Sequence, residues 1–183
     1  MTKVLIVSDI HGDRAILEEI RHHWDGKVEA TFYNGDSELA ADDPVFDGVS
    51  TVIGNKDTDD NFVPARSTEI DGLRIFQTHG HLYDATVPGE WANLKEMDAM
   101  ANEVGAQLVL FGHTHKVGTE LFDHKLFINP GSISLPLGPL ADRLGGTYAV
   151  LSIDDQILTV EFYNRKNEVI PELQFEIKRD QLS

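Results

Sequence analysis

Five times along this chain a short apolar run leads into a cluster of aspartate, asparagine, histidine and glycine. Val4–Val7 precedes Asp9-Ile10-His11, Thr31–Tyr33 precedes Gly35-Asp36, and Thr51–Ile53 precedes Gly54-Asn55. Leu73–Phe76 precedes His79-Gly80-His81, and Leu108–Phe111 precedes Gly112-His113-Thr114-His115. Apolar runs this short, closed by polar residues and glycine, read as strands. Strand ends are where a rigid scaffold presents reactive side chains to a cleft. Oxygen and imidazole groups gathered from so many strand ends suggest a site for more than one divalent metal.

Spacing sharpens that expectation. Asp9 and His11, His79 and His81, and His113 and His115 are each two residues apart. In extended backbone, residues i and i+2 point the same way, so each doublet is expected to aim two groups into one cleft. Glycines beside them (Gly12, Gly35, Gly54, Gly80, Gly112) permit sharp turns and close approach. A lone D-x-H or H-x-H carries little weight; the set, at consecutive strand ends, carries much.

Between the clusters the first half alternates strand and helix. Lys3–Ser8 reads as a strand buried on both faces. Asp13–Trp24 carries Ile16, Leu17, Ile20 and Trp24 on one helical face, with Asp13 as N-cap. Glu29–Tyr33 and Ser50–Ile53 are strands. Pro64–Asp71 and Leu73–Thr78 flank an Asp-Gly hairpin turn. Glu90–Val104 reads as a helix with Trp91, Leu94 and Met97 inward, stopped by Gly105, and Gln107–Phe111 as a strand. The second half is mostly hairpins: Val117–Phe122 with Lys125–Ile128, then Gly146–Ile153 with Ile157–Tyr163. A last edge strand is expected at Leu173–Ile177, and Pro136–Gly146 is a Gly/Pro-rich surface connection. The pattern predicts a mixed α/β architecture, two sheets face to face with helices outside.

Bulk properties narrow the function. At 183 residues, one domain over 1–183 is expected. Without cysteine there is no disulfide or thiolate metal site. The N-terminal apolar run is too short for a signal peptide, and no run approaches a membrane span, so a cytoplasmic protein with no membrane partner is expected. A net charge of −16 repels long nucleic acids. Small phosphorylated substrates remain compatible, because bound dications reverse the sign locally.

The set Asp9-x-His11, Gly35-Asp36, Gly54-Asn55, His79-Gly80 and Gly112-His113-x-His115 closely resembles the calcineurin-like metallophosphoesterase family. It is most similar to the small stand-alone phosphodiesterases of the YfcE type, which Asn129-Pro130-Gly131-Ser132 also matches. The resemblance covers roughly Lys3 to Tyr163. It implies a four-layer α/β/β/α sandwich with two mixed β-sheets and a two-metal centre. Carried over, Asp9, His11, Asp36 and His115 would hold one ion, and Asp36, Asn55, His79 and His113 the other, with Asp36 bridging. Mixed carboxylate, amide and imidazole ligands suit Mn²⁺, Fe or Zn²⁺ better than Ca²⁺ or Mg²⁺; the resemblance points to Mn²⁺, with Ni and Co as alternatives. A hydroxide activated by two ions is then expected to attack phosphorus, with the ions and the Asn55 amide stabilising the phosphoryl oxygens. Asp36, Asn55, His79 and His81 are the expected catalytic set, His81 as a substrate-phosphate contact or a supporting residue. Resemblance also suggests a homo-oligomer.

One departure bears on chemistry. Much of the family has His directly after Gly-Asn as acid for the leaving group; here Lys56-Asp57 follows. Good leaving groups should therefore be favoured. Asp57 is expected to orient a ligating His, and Lys56 to be a solvated turn residue. His22 and His23 read as helix-end residues, His124 as an exposed turn and Trp24 and Trp91 as core. Asn129 and Ser132 read as shaping the floor of the site, and Arg143 as a surface residue that could instead reach a phosphate. The leading expectation is a metal-dependent phosphodiesterase. The alternatives are a phosphomonoesterase or nucleotide pyrophosphatase with the same site, or a non-catalytic scaffold like the retromer subunit of similar fold, which loss of ligands would mark.

Overall fold

Strand β1 (Thr2–Val7) is apolar on both sides, and the computed structural model, which describes residues 1–183, buries both. It lies inside a six-stranded sheet, parallel to β2 (Ala30–Tyr33) and antiparallel to β9 (Thr147–Ile153). The sheet continues through β3 (Val49–Thr51) on one side, and through β10 (Ile157–Asn164) and β11 (Phe175–Lys178) on the other. A second, five-stranded sheet has the order β4 (Ala65–Ile70), β5 (Leu73–Thr78), β6 (Leu108–Leu110), β8 (Lys125–Asn129), β7 (Gly118–Phe122). Its three inner strands are parallel and both edges antiparallel, so each sheet is mixed.

Alternation along the strands sorts side chains into layers. Val4, Ile6, Leu108, Leu110, Leu126, Ile128 and Leu151 join one core between the sheets. Their neighbours Leu5, Val7 and Val150 pack outward with Ile16, Leu17, Ile20 and Trp24 of helix α1 (Arg14–Trp24). On the other outer face, Phe76, Val109 and Phe127 meet Met97 and Ala101 of helix α2 (Lys95–Val104). The result is the expected four-layer α/β/β/α sandwich. Asp13 caps α1 by accepting the Ile16 amide, satisfying one orphan donor.

Hairpin β4–β5 turns at Asp71-Gly72, both left-handed (φ 50° and 72°), as a two-residue turn between twisted strands requires. Helix α2 departs from expectation: it begins at Lys95, not Glu90. The preceding segment is tied down elsewhere, through the Asn93 amide to Ala85 O, the Asn93 side chain to Asp84 O, and Trp91 Nε1 to Lys116 O. Trp91 is therefore a loop residue, half-buried against Phe111. The Pro136–Gly146 connection contains a short helix, α3 (Ala141–Leu144). No helix is long and apolar enough to cross a membrane.

Because β1, β2 and β3 run in parallel, as do β5, β6 and β8, their carboxyl ends collect on one side of each sheet. The two sets of ends are joined across the sandwich by Asn34 Nδ2 donating to Phe111 O at 3.0 Å. Leu110 is fully buried in the inter-sheet core, so Leu110→Ala should cost about 2–5 kcal/mol in urea unfolding; an unchanged midpoint would contradict this packing.

Candidate metal centre

Two of the three doublets, Asp9/His11 and His113/His115, do not lie in extended backbone. Asp9 (φ 58°), His11 (46°), Asp36 (58°), His113 (66°) and His115 (58°) are all left-handed, and this corrects the expectation from i, i+2 alternation. Such conformations cost roughly 1–3 kcal/mol each and persist only where the surroundings impose them. Here a loop-to-loop ladder does so: Asp9 N–H donates to Gly35 O, His11 N–H to Asp36 O and Gly12 N–H to Ser37 O. Two glycines are steric requirements. A Cβ at Gly54 would overlap the Asp36 carboxylate and amide, and one at Gly112 the Ser8 hydroxyl and Asp9 carboxylate.

The turns converge polar atoms at one point. Asp9 is fully buried. Its Oδ2 accepts from the Ser8 hydroxyl and the His113 amide. Its Oδ1 is buried without a hydrogen-bond partner and faces Nε2 of His115 at 3.1 Å, His11 at 3.6 Å and His79 at 3.9 Å. Asp36 Oδ2 lies 3.2 Å from His79 Nε2 and 4.0 Å from His11 Nε2. One ligand-type atom from each of Asp9, His11, Asp36 and His115 falls within 4.8 Å of all the others. Beside them, Asn55 Oδ1 lies 3.1 Å from His79 Nε2 and 2.9 Å from His113 Nδ1. All seven expected ligand residues are thus brought together, and Asp36 stands between the two groups.

The far side of three rings explains their orientation. His11 Nδ1 donates to Glu38 (2.9 Å), His79 Nδ1 to Asn34 O (2.6 Å) and His115 Nδ1 to Leu135 O (2.7 Å). With Nδ1 carrying the proton, each neutral ring turns its Nε2 lone pair toward the carboxylates. Lone pairs then face lone pairs, including His11 Nε2 and His115 Nε2 at 3.1 Å. Such a set of acceptors is reconciled only by protons or by cations, and carboxylate, amide and imidazole together fit a divalent transition metal.

The groups shift one another strongly. Burial opposes ionisation of Asp9, but the charge on His79 and the contacts with His11 and His115 hold its carboxyl well below the usual range. Burial also opposes ionisation of Asp36, which the His79 hydrogen bond and charge nevertheless lower. Contact with Asp9 raises His11 to about 9. For His79, burial is outweighed by Asp9 and Asp36, and its pKa rises. Burial, then the charge on His79, lowers His113 to about 4 and also lowers His81.

Asp57 does not orient a histidine, contrary to expectation. Its carboxylate accepts the amides of Asp36 (2.9 Å), Gly54 (2.8 Å) and Glu38 (2.8 Å) and the Ser37 hydroxyl (3.2 Å), clamping the Asp36 turn to the Asn55 turn. Lys56 is exposed, and its backbone amide binds Asp36 Oδ1 at 2.7 Å. Ser132 Oγ donates to Asp9 O, and Asn129 Nδ2 to Gly112 O and Thr114 Oγ1, so both brace the site from below. His81 is half-buried; its ring lies 5.3 Å from that of His79, and its Nδ1 has no partner. Arg143 pairs with Glu172 and takes no part. His124 is exposed in the β7–β8 turn.

Several supporting residues escaped the sequence reading, Asn34 among them. Glu38 repeats the i, i+2 spacing after Asp36 and was findable by it. Gln77, polar in an apolar strand, binds Tyr33 O, Asn34 Oδ1 and Ser50 O, locking Asn34 in place. The Leu135 carbonyl carries no sequence signal at all.

A family model for the calcineurin-like phosphoesterase superfamily domain matches residues 2–156. A probable metallophosphoesterase, YsnB of Bacillus subtilis, is 35% identical over 171 residues, 93% of this chain and 96% of the relative. A solved structure described as a predicted phosphoesterase from Streptococcus pneumoniae is 40% identical, with a TM-score of 0.89 over 97% of this chain and 98% of that one. The phosphoesterase YfcE of E. coli, at 22% identity and a TM-score of 0.64 over 95% and 98% of the two chains, shares the fold.

Asp57→Ala would leave four donors without their acceptor. A loss of at least about 2 kcal/mol in urea unfolding is expected, with faster hydrogen exchange at the Asp36 and Glu38 amides. Unchanged exchange there would mean that Asp57 does not hold the turn.

Proposed function

The chain belongs to the calcineurin-like phosphoesterase superfamily, and from that premise we propose that it is a metal-dependent phosphodiesterase acting on small phosphorylated substrates. The observation that carries this reading is the unpartnered, buried Asp9 Oδ1 among imidazole lone pairs. Asp9, His11, Asp36 and His115 would hold one divalent ion, and Asp36, Asn55, His79 and His113 a second, Mn²⁺ being the expected species. Bound there, such ions would supply Lewis acidity at the phosphoryl oxygens and lower the pKa of a coordinated water.

The remaining roles belong to the protein. Glu38, Asn34 O and Leu135 O keep the imidazoles of His11, His79 and His115 in one tautomer, with Nε2 facing the reacting centre. Asp57 and the Lys56 amide fix the Asp36 carboxylate. His81, needed in neither ligand group, stands beside the His79 ring and is proposed to contact a substrate phosphoryl oxygen. No acid stands ready for the leaving group after Asn55: Lys56 points into solvent, and the Asp57 carboxylate is occupied by four donors. That favours leaving groups of low pKa, such as aryl or pyrophosphoryl oxygens. No ligand position is lost, so the scaffold reading gains no support.

With Mn²⁺, bis-p-nitrophenyl phosphate should be cleaved faster than p-nitrophenyl phosphate; the reverse order would favour a monoesterase. Asp36→Asn should reduce turnover by at least about 100-fold, whereas near-normal turnover with full metal content would reject a bridging carboxylate. His11, raised to about 9, is protonated near neutral pH in metal-free protein and must lose that proton to become a ligand. Mn²⁺ uptake should therefore release protons, and affinity should rise with pH from neutral towards about 9; a flat profile in calorimetric titrations would contradict this.

A further inference from the structure

Immediately beside His115 the surface opens into a cleft of about 340 Å³ that no role above uses. Trp91, Val117, Leu137 and Leu140 supply its apolar lining, and Glu90 and Lys116 its polar one. The cleft shares its frame with the metal centre. Lys116 follows His115 in the chain, Leu137 N–H donates to His115 O at 2.9 Å, and His115 Nδ1 donates to Leu135 O. A substituent on a phosphate held at His115 therefore has this cleft as its neighbour.

Its chemistry differs sharply from that of the centre. Trp91 Nε1 already donates to Lys116 O at 3.0 Å, so what the indole has left to offer is ring surface. Leu137 remains 57% exposed, an apolar side chain in water beside a polar site. An apolar lining with few polar groups beside a polar centre is the form a ligand subsite takes. The volume lies at the small end for ligand pockets and suits one ring system rather than an acyl chain. Lys116 Nζ donates to Glu90 O at 2.6 Å, which holds its positive charge at the lining, where its remaining donors can meet ring heteroatoms or an anionic ester in a chain of net charge −16. We propose that this cleft is the subsite for a nucleobase-sized planar group carried on the phosphate ester, with Trp91 and Leu137 setting the preference. The proposal rests on the phosphoesterase reading and adds a substrate class to it.

Two diesters with the same leaving group test it: the p-nitrophenyl ester of thymidine 5′-phosphate and methyl p-nitrophenyl phosphate. The protein with Mn²⁺ should prefer the nucleoside ester by about tenfold or more in kcat/KM, the scale of one good stacking contact. Trp91→Ala and Leu137→Asp should each pull that ratio towards unity, mainly through KM, with methyl-ester turnover held within about twofold. Leu137 is exposed, so its variant folds even if removing the indole from Phe111 does not leave Trp91→Ala intact. A wild-type ratio near unity, or a ratio unmoved by Leu137→Asp, would overturn the proposal. If neither ester is hydrolysed, it is the phosphoesterase reading that fails, and the cleft is then judged by binding alone. Adenosine added to metal-free protein should quench Trp91 fluorescence in wild type and less in Leu137→Asp, Trp24 being buried; equal or absent quenching would overturn the subsite.

Discussion

Two buried carboxylates, Asp9 and Asp36, face the Nε2 atoms of His11, His79 and His115, and much of the molecule is arranged around that cluster. Its lone pairs repel one another unless protons or cations stand among them. It is maintained because each partner is fixed from behind. Carbonyls and Glu38 hold the rings, Asp57 clamps the Asp36 turn, and Ser132 and Asn129 brace the turns carrying Asp9 and His113. Left-handed backbone at five of the seven ligand positions adds further strain. Strain and unsatisfied polarity concentrated in one place are the mark of a site built for something that binds there.

The sandwich supplies the rigidity. Parallel strands in each sheet deliver their carboxyl ends to the same side, and a dry inter-sheet core fixes the two sheets against each other. Gln77 and Asn34 then tie the ends together across the gap, so that His79 from one sheet and Asp36 from the other meet at 3.2 Å. Catalytic groups held by strand ends rather than long loops keep their geometry without help from substrate. The segments before α2 and around α3 lie at the rim, outside the two sheets that carry the centre.

Much of this was legible in the chain. The Val, Ile and Leu run of β1 announced a strand buried on both faces, short apolar runs announced β6 and β8 as strands, and Asp71-Gly72 announced a hairpin, because those signals are local. The seven candidate ligand residues were legible through the family resemblance that their motifs carry, and the fold brings them together. What was not legible was non-local. The start of α2 depends on hydrogen bonds from Asn93 and Trp91 to distant carbonyls, and the role of Asp57 depends on four donors brought to it by folding. The i, i+2 rule singled out residues that converge, but for Asp9/His11 and His113/His115 by another geometry: left-handed turns, not a pleated strand.

The arrangement also explains a restriction. Lys56, after Asn55, lies in solvent and the Asp57 carboxylate is committed to structure, so neither is free to serve a leaving group. On the proposed reading, catalysis then rests on cations that Asp36 would help to hold. Anomalous diffraction from crystals soaked in Mn²⁺ tests this most directly. Two peaks roughly 3.5–4 Å apart, with the Asp36 carboxylate between them, are the predicted result. A single peak lying away from Asp36, or an Asp36 side chain turned out of an empty pocket, would contradict it.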